Sequence, residues 1–311
     1  MTNTTDTNAN WQKNSPYDRF SYFIAPKVDR YKTLTQTIEK LGLNSLAVSI
    51  NENRHIMVFP PEKNIARTLK TGFPFAGESP YMFVAHYDRV AGSPGANDNS
   101  ITVFHLLSAA NILIKRGISK WIILFTDKEE LKKGESFENQ GSFALAQKLK
   151  AWGLEKAKIF NFDSCGTGDT FIFSTITDTI LANSTNPNLD KIKNNIRQLR
   201  NHALETAHLL RLEKILLAPI PVCDDIGFLR AGFAAQTITM LPSAESALYE
   251  ETLRKNADFS KLLISGEIKT SPERKNLPAT WKNMNTPADT PDRLTPQFFI
   301  EVVNFIVELC K

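Results

Sequence analysis

Residues 81–100, YMFVAHYDRVAGSPGANDNS, hold the reading that decides the fold. The apolar run from Tyr81 to Ala85 stops at His86 and Asp88; a loop with Gly92 and Gly95 then leads to Asp98, just before a helix-like stretch from Ile101. Short apolar runs bounded by polar residues read as buried strands. The pattern recurs: Trp121 to Phe125 runs into Asp127, Glu129 and Glu130, and Ile159 to Phe162 runs into Asp163. In an open α/β sheet, ligands bind outside the carboxyl ends of the strands, where these polar residues fall.

Working outward, Thr170 to Phe173 and Gln236 to Met240 add two more buried runs. Helical segments are predicted from Arg30 to Gly42, Ile101 to Lys115, Ser142 to Trp152 and Leu189 to Leu217, several with a glycine at or just past the end, which suits a helix stop. Leu46 to Ile50 and His55 to Phe59 read as a hairpin across Asn51 to Asn53. Alternating strands and helices imply an α/β protein, a three-layer α/β/α sandwich around a mixed, largely parallel sheet. The polar span 243–285, with Pro272 and Pro278, reads as an excursion of helix and loop, and such insertions often border active sites. A last helix from Pro296 to Leu309 carries a broad apolar face. We expect a disordered tail over residues 1–15 and one domain over 16–311.

The 37 basic and 33 acidic residues are interspersed and leave a net charge of +4, which does not point to nucleic acid as a partner. No apolar run reaches the roughly 18 residues of a membrane span, and the polar start does not read as a secretory signal. Three cysteines, Cys165, Cys223 and Cys310, lack paired spacing, so a reducing, cytoplasmic location is expected. Gly166 and Gly168 follow a strand without the full spacing of a dinucleotide loop. Arg89, Lys128, Lys132 and Lys133 read as solvated surface charges.

Carboxylates delivered together to one sheet edge raise one another's pKa unless a countercharge is present, and a divalent metal is an economical one. Imidazole and carboxylate oxygen suit zinc, and a catalytic site needs about three such ligands plus an open position. Taken singly, each acid reads as a helix cap or a surface ion pair; the joint placement argues otherwise.

These motifs, in this order, resemble the co-catalytic zinc exopeptidases that include bacterial leucyl aminopeptidases and, as relatives, glutaminyl cyclases. The matching segments are His86-Tyr87-Asp88, Gly95-Ala96-Asn97-Asp98-Asn99, Glu129-Glu130, Asp163 and Asn285-Thr286-Pro287-Ala288-Asp289-Thr290. The resemblance implies His86 and Asp163 on one metal, Asp98 bridging to a second held by Glu130, Glu129 as general base, and Asp88 orienting His86. It also implies a cis peptide between Asp98 and Asn99.

Three departures stand out. Asn285 occupies the position of the late ligand histidine, and a neutral amide oxygen is a poor zinc ligand. In Val222-Cys223-Asp224-Asp225-Ile226-Gly227-Phe228, a segment that shapes the family's substrate pocket, Asp225 stands for a histidine and Gly227 for a proline, with Phe228 completing the match. Ten residues, longer than usual, separate Glu130 from Gly141. His55, His105, His202 and His208 read as structural. The resemblance thus implies a zinc-dependent hydrolase removing N-terminal residues from peptide or aminoacyl substrates, with one firm zinc site and a weak or substrate-filled second. The alternative is a degenerate member that binds a ligand or partner without turnover. Glutaminyl cyclase chemistry fits less well, because that branch uses the position that has lost its histidine.

Overall fold

The computed structural model describes residues 16–61, 79–132, 134–182 and 186–311; residues 1–15 and Lys133 lie outside them. Among the described residues one sheet holds eight strands: β1 (Asn44–Ile50), β2 (Asn53–Phe59), β3 (Tyr81–His86), β4 (Trp121–Thr126), β5 (Lys158–Phe162), β6 (Thr170–Ser174), β7 (Ile215–Ala218) and β8 (Ala235–Leu241). Their spatial order is β1-β2-β4-β3-β5-β8-β6-β7. The centre, β4-β3-β5-β8, is parallel. The sheet is mixed because β1 and β2 pair antiparallel with each other, β2 with β4, and β6 with β8.

The central strands are largely apolar because both faces are covered, with Asn161, Gln236, Thr237 and Thr239 as buried polar exceptions. Phe83, Ile123, Phe160 and Phe162 face one layer, where the Ile101–Lys115 and Phe299–Glu308 helices pack together. Met82, Val84, Ile122 and Leu124 face the Gly141–Ala151 and Asp224–Arg230 helices on the other side. A third apolar patch under Ile172 and Leu241 gathers Tyr249, Phe259 and Trp281 from the span after β8. No helix among the described residues is long and apolar enough to cross a membrane.

One predicted element is corrected. The helix expected to run to Leu217 is Pro187–Leu209; the chain then turns with Arg211 at φ 56° and forms β7, parallel to β6. Ile215–Ala218 is apolar without a clear period, so its strand state comes from pairing at the sheet edge rather than from local pattern. The last helix begins with a 3-10 turn over Pro296–Phe298 before the α-helix Phe299–Glu308.

Phe160 lies at the middle of the sheet, with no exposed surface and its ring centroid 6.3 Å from that of Phe83. Replacing it by alanine removes buried area and leaves a cavity under fixed strands. Phe160→Ala is expected to cost about 3–5 kcal/mol, read as a fall in the urea unfolding midpoint at unchanged slope; a change below about 1 kcal/mol would contradict this packing.

Candidate metal centre

His86 closes β3, Asp98 lies in the irregular turn Ala96–Ser100 and Asp163 follows β5, so the parallel register brings three distant residues to one rim. Each of the three offers a ligand atom within 4.8 Å of the others, and all are buried. His86 Nε2 lies 3.2 Å from Asp98 Oδ1 and 3.8 Å from Asp163 Oδ1. Its Nδ1 lies 3.4 Å from Asp88 Oδ1. A second group of possible ligands joins His86 with Glu129 and Glu130.

The turn carrying Asp98 is held from several sides. Gly95 has φ 61°, and a Cβ there would stand 2.8 Å from the Asp98 carbonyl oxygen, so no larger residue fits without a shift. The Asp98–Asn99 peptide is cis. Both oxygens of Asp289 accept backbone N–H groups, from Asn97 at 2.8 Å and from Asp98 at 3.0 Å. The Asn99 side chain donates to the Phe162 carbonyl at 2.9 Å and accepts from the Ser164 N–H at 3.1 Å, tying the Asp98 turn to the Asp163 loop. Beneath it, the buried Arg30 donates to Ser100 Oγ at 2.5 Å, and its guanidinium lies 4.3 Å from the Phe23 ring centroid.

The Glu129-Glu130 loop is held with equal care. Asp88 accepts the N–H of Glu129 at 3.2 Å and of Glu130 at 3.1 Å, so it links this loop to His86. The Asp127 N–H donates to His55 Nδ1 at 3.1 Å, and Asp127 Oδ2 accepts the Arg54 N–H at 2.9 Å. Gln140 Nε2 donates to Glu129 Oε1 at 3.3 Å. Asn285, at φ 61°, donates from Nδ2 to Glu130 Oε2 at 2.8 Å.

Crowding sets the electrostatics. Burial alone would lower the His86 pKa, but Asp163, Asp88 and Asp98 outweigh it and hold His86 well above the usual imidazole range. Burial raises Glu129 well above the ordinary carboxylate range; Glu130 and Asp224 add to this while His86 opposes it. Glu130 is pushed up to about 9, by burial first and then by Asp98. Burial would raise Asp88 too, yet the adjacent His86 ring and the two backbone N–H groups it accepts bring it below its ordinary value.

Whether these residues fit a metal is tested by their unmet bonding. Both ring nitrogens of His86, Oδ2 of Asp98 and Oε1 of Glu130 are buried without a well-formed hydrogen bond. A nitrogen set between two carboxylate oxygens must carry either a proton or a cation. An imidazole and two carboxylates are a zinc-type donor set, and the residues therefore fit the metal.

The sequence-predicted pocket residues Asp225 and Phe228 are both buried. Asp225 is buried, with Cys223 Sγ 3.4 Å from its Oδ1, and burial lifts it to about 6. Phe228 has no exposed surface and packs at 6.3 Å on Phe233 within the core. His105 is buried, and its Nδ1 lies 2.8 Å from the Tyr17 hydroxyl, away from the rim. Sequence reading assigned no role to Asp289, Arg30, Gln140 or Asp224, whose Oδ2 accepts from Thr126 Oγ1 at 2.6 Å. Asp289 and Asp224 lay inside quoted motifs; Arg30 and Gln140 carry no local signal.

A mixed α/β sheet with an imidazole and carboxylates at its strand ends defines the metallohydrolase class of site. Residues 64–309 match the pattern of Peptidase family M28, and the chain belongs to that family. Among solved structures, the chain is similar to a glutaminyl cyclase from Porphyromonas gingivalis, at 15% identity and TM-score 0.61, covering 95% of this chain and 96% of that one. It is similar to a leucine aminopeptidase precursor from Bacteroides thetaiotaomicron, at 15% identity and TM-score 0.61, covering 95% of each chain. It also resembles a zinc aminopeptidase from Bacillus subtilis, at 17% identity and TM-score 0.51, covering 82% of this chain and 49% of that one. These likenesses establish the shared fold. No curated protein sequence matches the chain.

Asp88→Asn keeps the size of the side chain but removes a charge and turns one acceptor into a donor facing the Glu129 and Glu130 N–H groups. Zinc affinity is expected to fall by about 10–100-fold in a competition titration with a chromogenic chelator; an unchanged affinity would show that Asp88 does not orient His86.

Proposed function

We propose that the chain is a single-zinc aminopeptidase acting on the N-terminal residue of peptides. The observation that carries the reading is His86 Nε2, aimed between Asp98 and Asp163 with Glu129 beside it. Bound to these three, zinc supplies a Lewis acid that makes water acidic and polarises a carbonyl. Glu129 is the base: its carboxylate takes a proton from the attacking water and returns it to the leaving amine. Burial raises the pKa of this carboxyl above the ordinary carboxylate range, which strengthens it as a proton acceptor. Gln140 and the Glu129 N–H bond to Asp88 fix where this carboxylate points.

We propose one zinc rather than two: Asn285 bonds Glu130 through its side-chain amide, and an amide offers only a poor neutral ligand where the family has an imidazole. The family pattern, the fold shared with the Bacillus and Bacteroides aminopeptidases, and the donor set support peptidase chemistry. Three unpaired cysteines support a reducing compartment, and we place the protein in the cytoplasm.

Metal analysis of the purified chain is expected to give one zinc per molecule, with cleavage of aminoacyl para-nitroanilides lost on chelation and restored by zinc. Glu129→Gln is expected to lower kcat by about 10²–10⁴-fold at unchanged zinc content. A folded protein that takes up no zinc would instead favour a ligand-binding member without turnover, the reading to which the loss of the histidine at Asn285 lends support.

A further inference from the structure

Arg89 reads from the sequence as a solvated charge, yet the fold gives its guanidinium a different use. Nη1 donates to the Ile24 carbonyl at 2.7 Å and to the Pro94 carbonyl at 2.8 Å, and Nη2 donates to the Ala25 carbonyl at 2.8 Å. Ile24 is the C-terminal cap of the helix Phe20–Phe23, a place where carbonyls lack helical partners. Arg89 directly follows Asp88 on the loop that joins His86 to Asp98, and Pro94 directly precedes Gly95. One side chain thus ties this loop at two points to the segment after the first helix.

A second guanidinium meets the same turn. Arg30 donates to Ser100 Oγ at 2.5 Å, and the Ser100 hydroxyl donates to the Gly95 carbonyl. A Cβ on Gly95 would stand 3.2 Å from both Arg30 Nη1 and Arg89 Cβ, so both arginines close on this one residue. Like charges so near each other repel, and Asp88, Asp98 and Asp289 supply the opposing charge.

The clamp of Asp289 on the Asp98 N–H fixes the turn itself but not its place relative to His86. A planar guanidinium with donors in fixed directions can hold three carbonyls at once and so settle that place; an ammonium keeps the charge and loses the directions. We propose that Arg89 is a positioning residue for the zinc: by binding Ile24, Ala25 and Pro94 it sets the Gly95 turn, and with it the separation of Asp98 from His86. The stretch from Phe20 to Arg30 is thereby part of the metal centre, although it precedes the family-matched span. The inference rests on the single-zinc reading and adds to it a residue that decides how tightly the zinc is held.

The test compares the full wild-type chain with Arg89→Lys and, as a control for lost packing, with Arg200→Lys, which removes a guanidinium bonded to Asp178 and Gln236 rather than to the Asp98 turn. Zinc affinity is read by competition with a chromogenic chelator, ligand geometry by the visible spectrum of the cobalt(II)-loaded chain, and folding by thermal unfolding of the metal-free chains. Arg89→Lys is expected to weaken zinc by about 10–100-fold and to shift the cobalt bands, whereas Arg200→Lys stays within about twofold and leaves the bands in place even where it unfolds earlier. Zinc affinity within about twofold of wild type in Arg89→Lys, with an unchanged cobalt spectrum, overturns the inference. So does an equal loss of zinc in Arg200→Lys, since the effect would then be general destabilisation. If Arg89→Lys does not fold, Arg30→Lys loosens the same turn through Ser100 and is judged on the same two readings. A wild-type chain that takes up neither metal fails differently, because it removes the single-zinc reading and this inference with it.

Discussion

Mutual repulsion of carboxylates at the carboxyl ends of β3, β4 and β5 is the constraint on which the rest of the molecule turns. Two such charges about 4 Å apart repel by about 4 kcal/mol at an effective dielectric of 20. Asp88, Asp98, Glu129, Glu130 and Asp163 crowd around the single imidazole of His86. A fold tolerates that arrangement where the backbone leaves the side chains no room to separate and a cation repays the cost.

The fixing is done from outside the cluster. Asp289 clamps two N–H groups of the Asp98 turn, and Asn99 ties that turn to the Asp163 loop. Arg30 presses on the same turn from below, while Arg54 and His55 hold Asp127 ahead of the paired glutamates. Arg30, Arg54 and His55 precede the family-matched span, which begins at residue 64. Arg30 also brings a positive charge under the anions, although burial and the nearby Arg89 bring its pKa down to about 9. The Arg30–Lys40 helix and the β1–β2 hairpin therefore do more than extend the sheet; they hold the two loops that carry the candidate ligands.

Much of this was legible in the sequence, for a physical reason. Strands buried on both faces are largely apolar, so the runs in β3, β4 and β5 stand out and the polar residues at their carboxyl ends are site candidates. The registry of His86, Asp98 and Asp163 follows from that rule. β7 was not legible, because a four-residue apolar run after a long helix carries no period of its own. Arg30 and Gln140 were missed because their roles are made by contacts across 70 and 11 residues, which no local pattern records. Asn285 was legible as an anomaly, but not its consequence, since only the folded chain shows its amide spent on Glu130.

The central claim is therefore about position: one cation, on the His86 side. Anomalous diffraction at the zinc edge from crystals of the zinc-loaded protein tests it most directly. A single peak bounded by His86, Asp98 and Asp163 is the result the account predicts. A peak between Glu130 and Asn285, or no peak at all near His86, would contradict it.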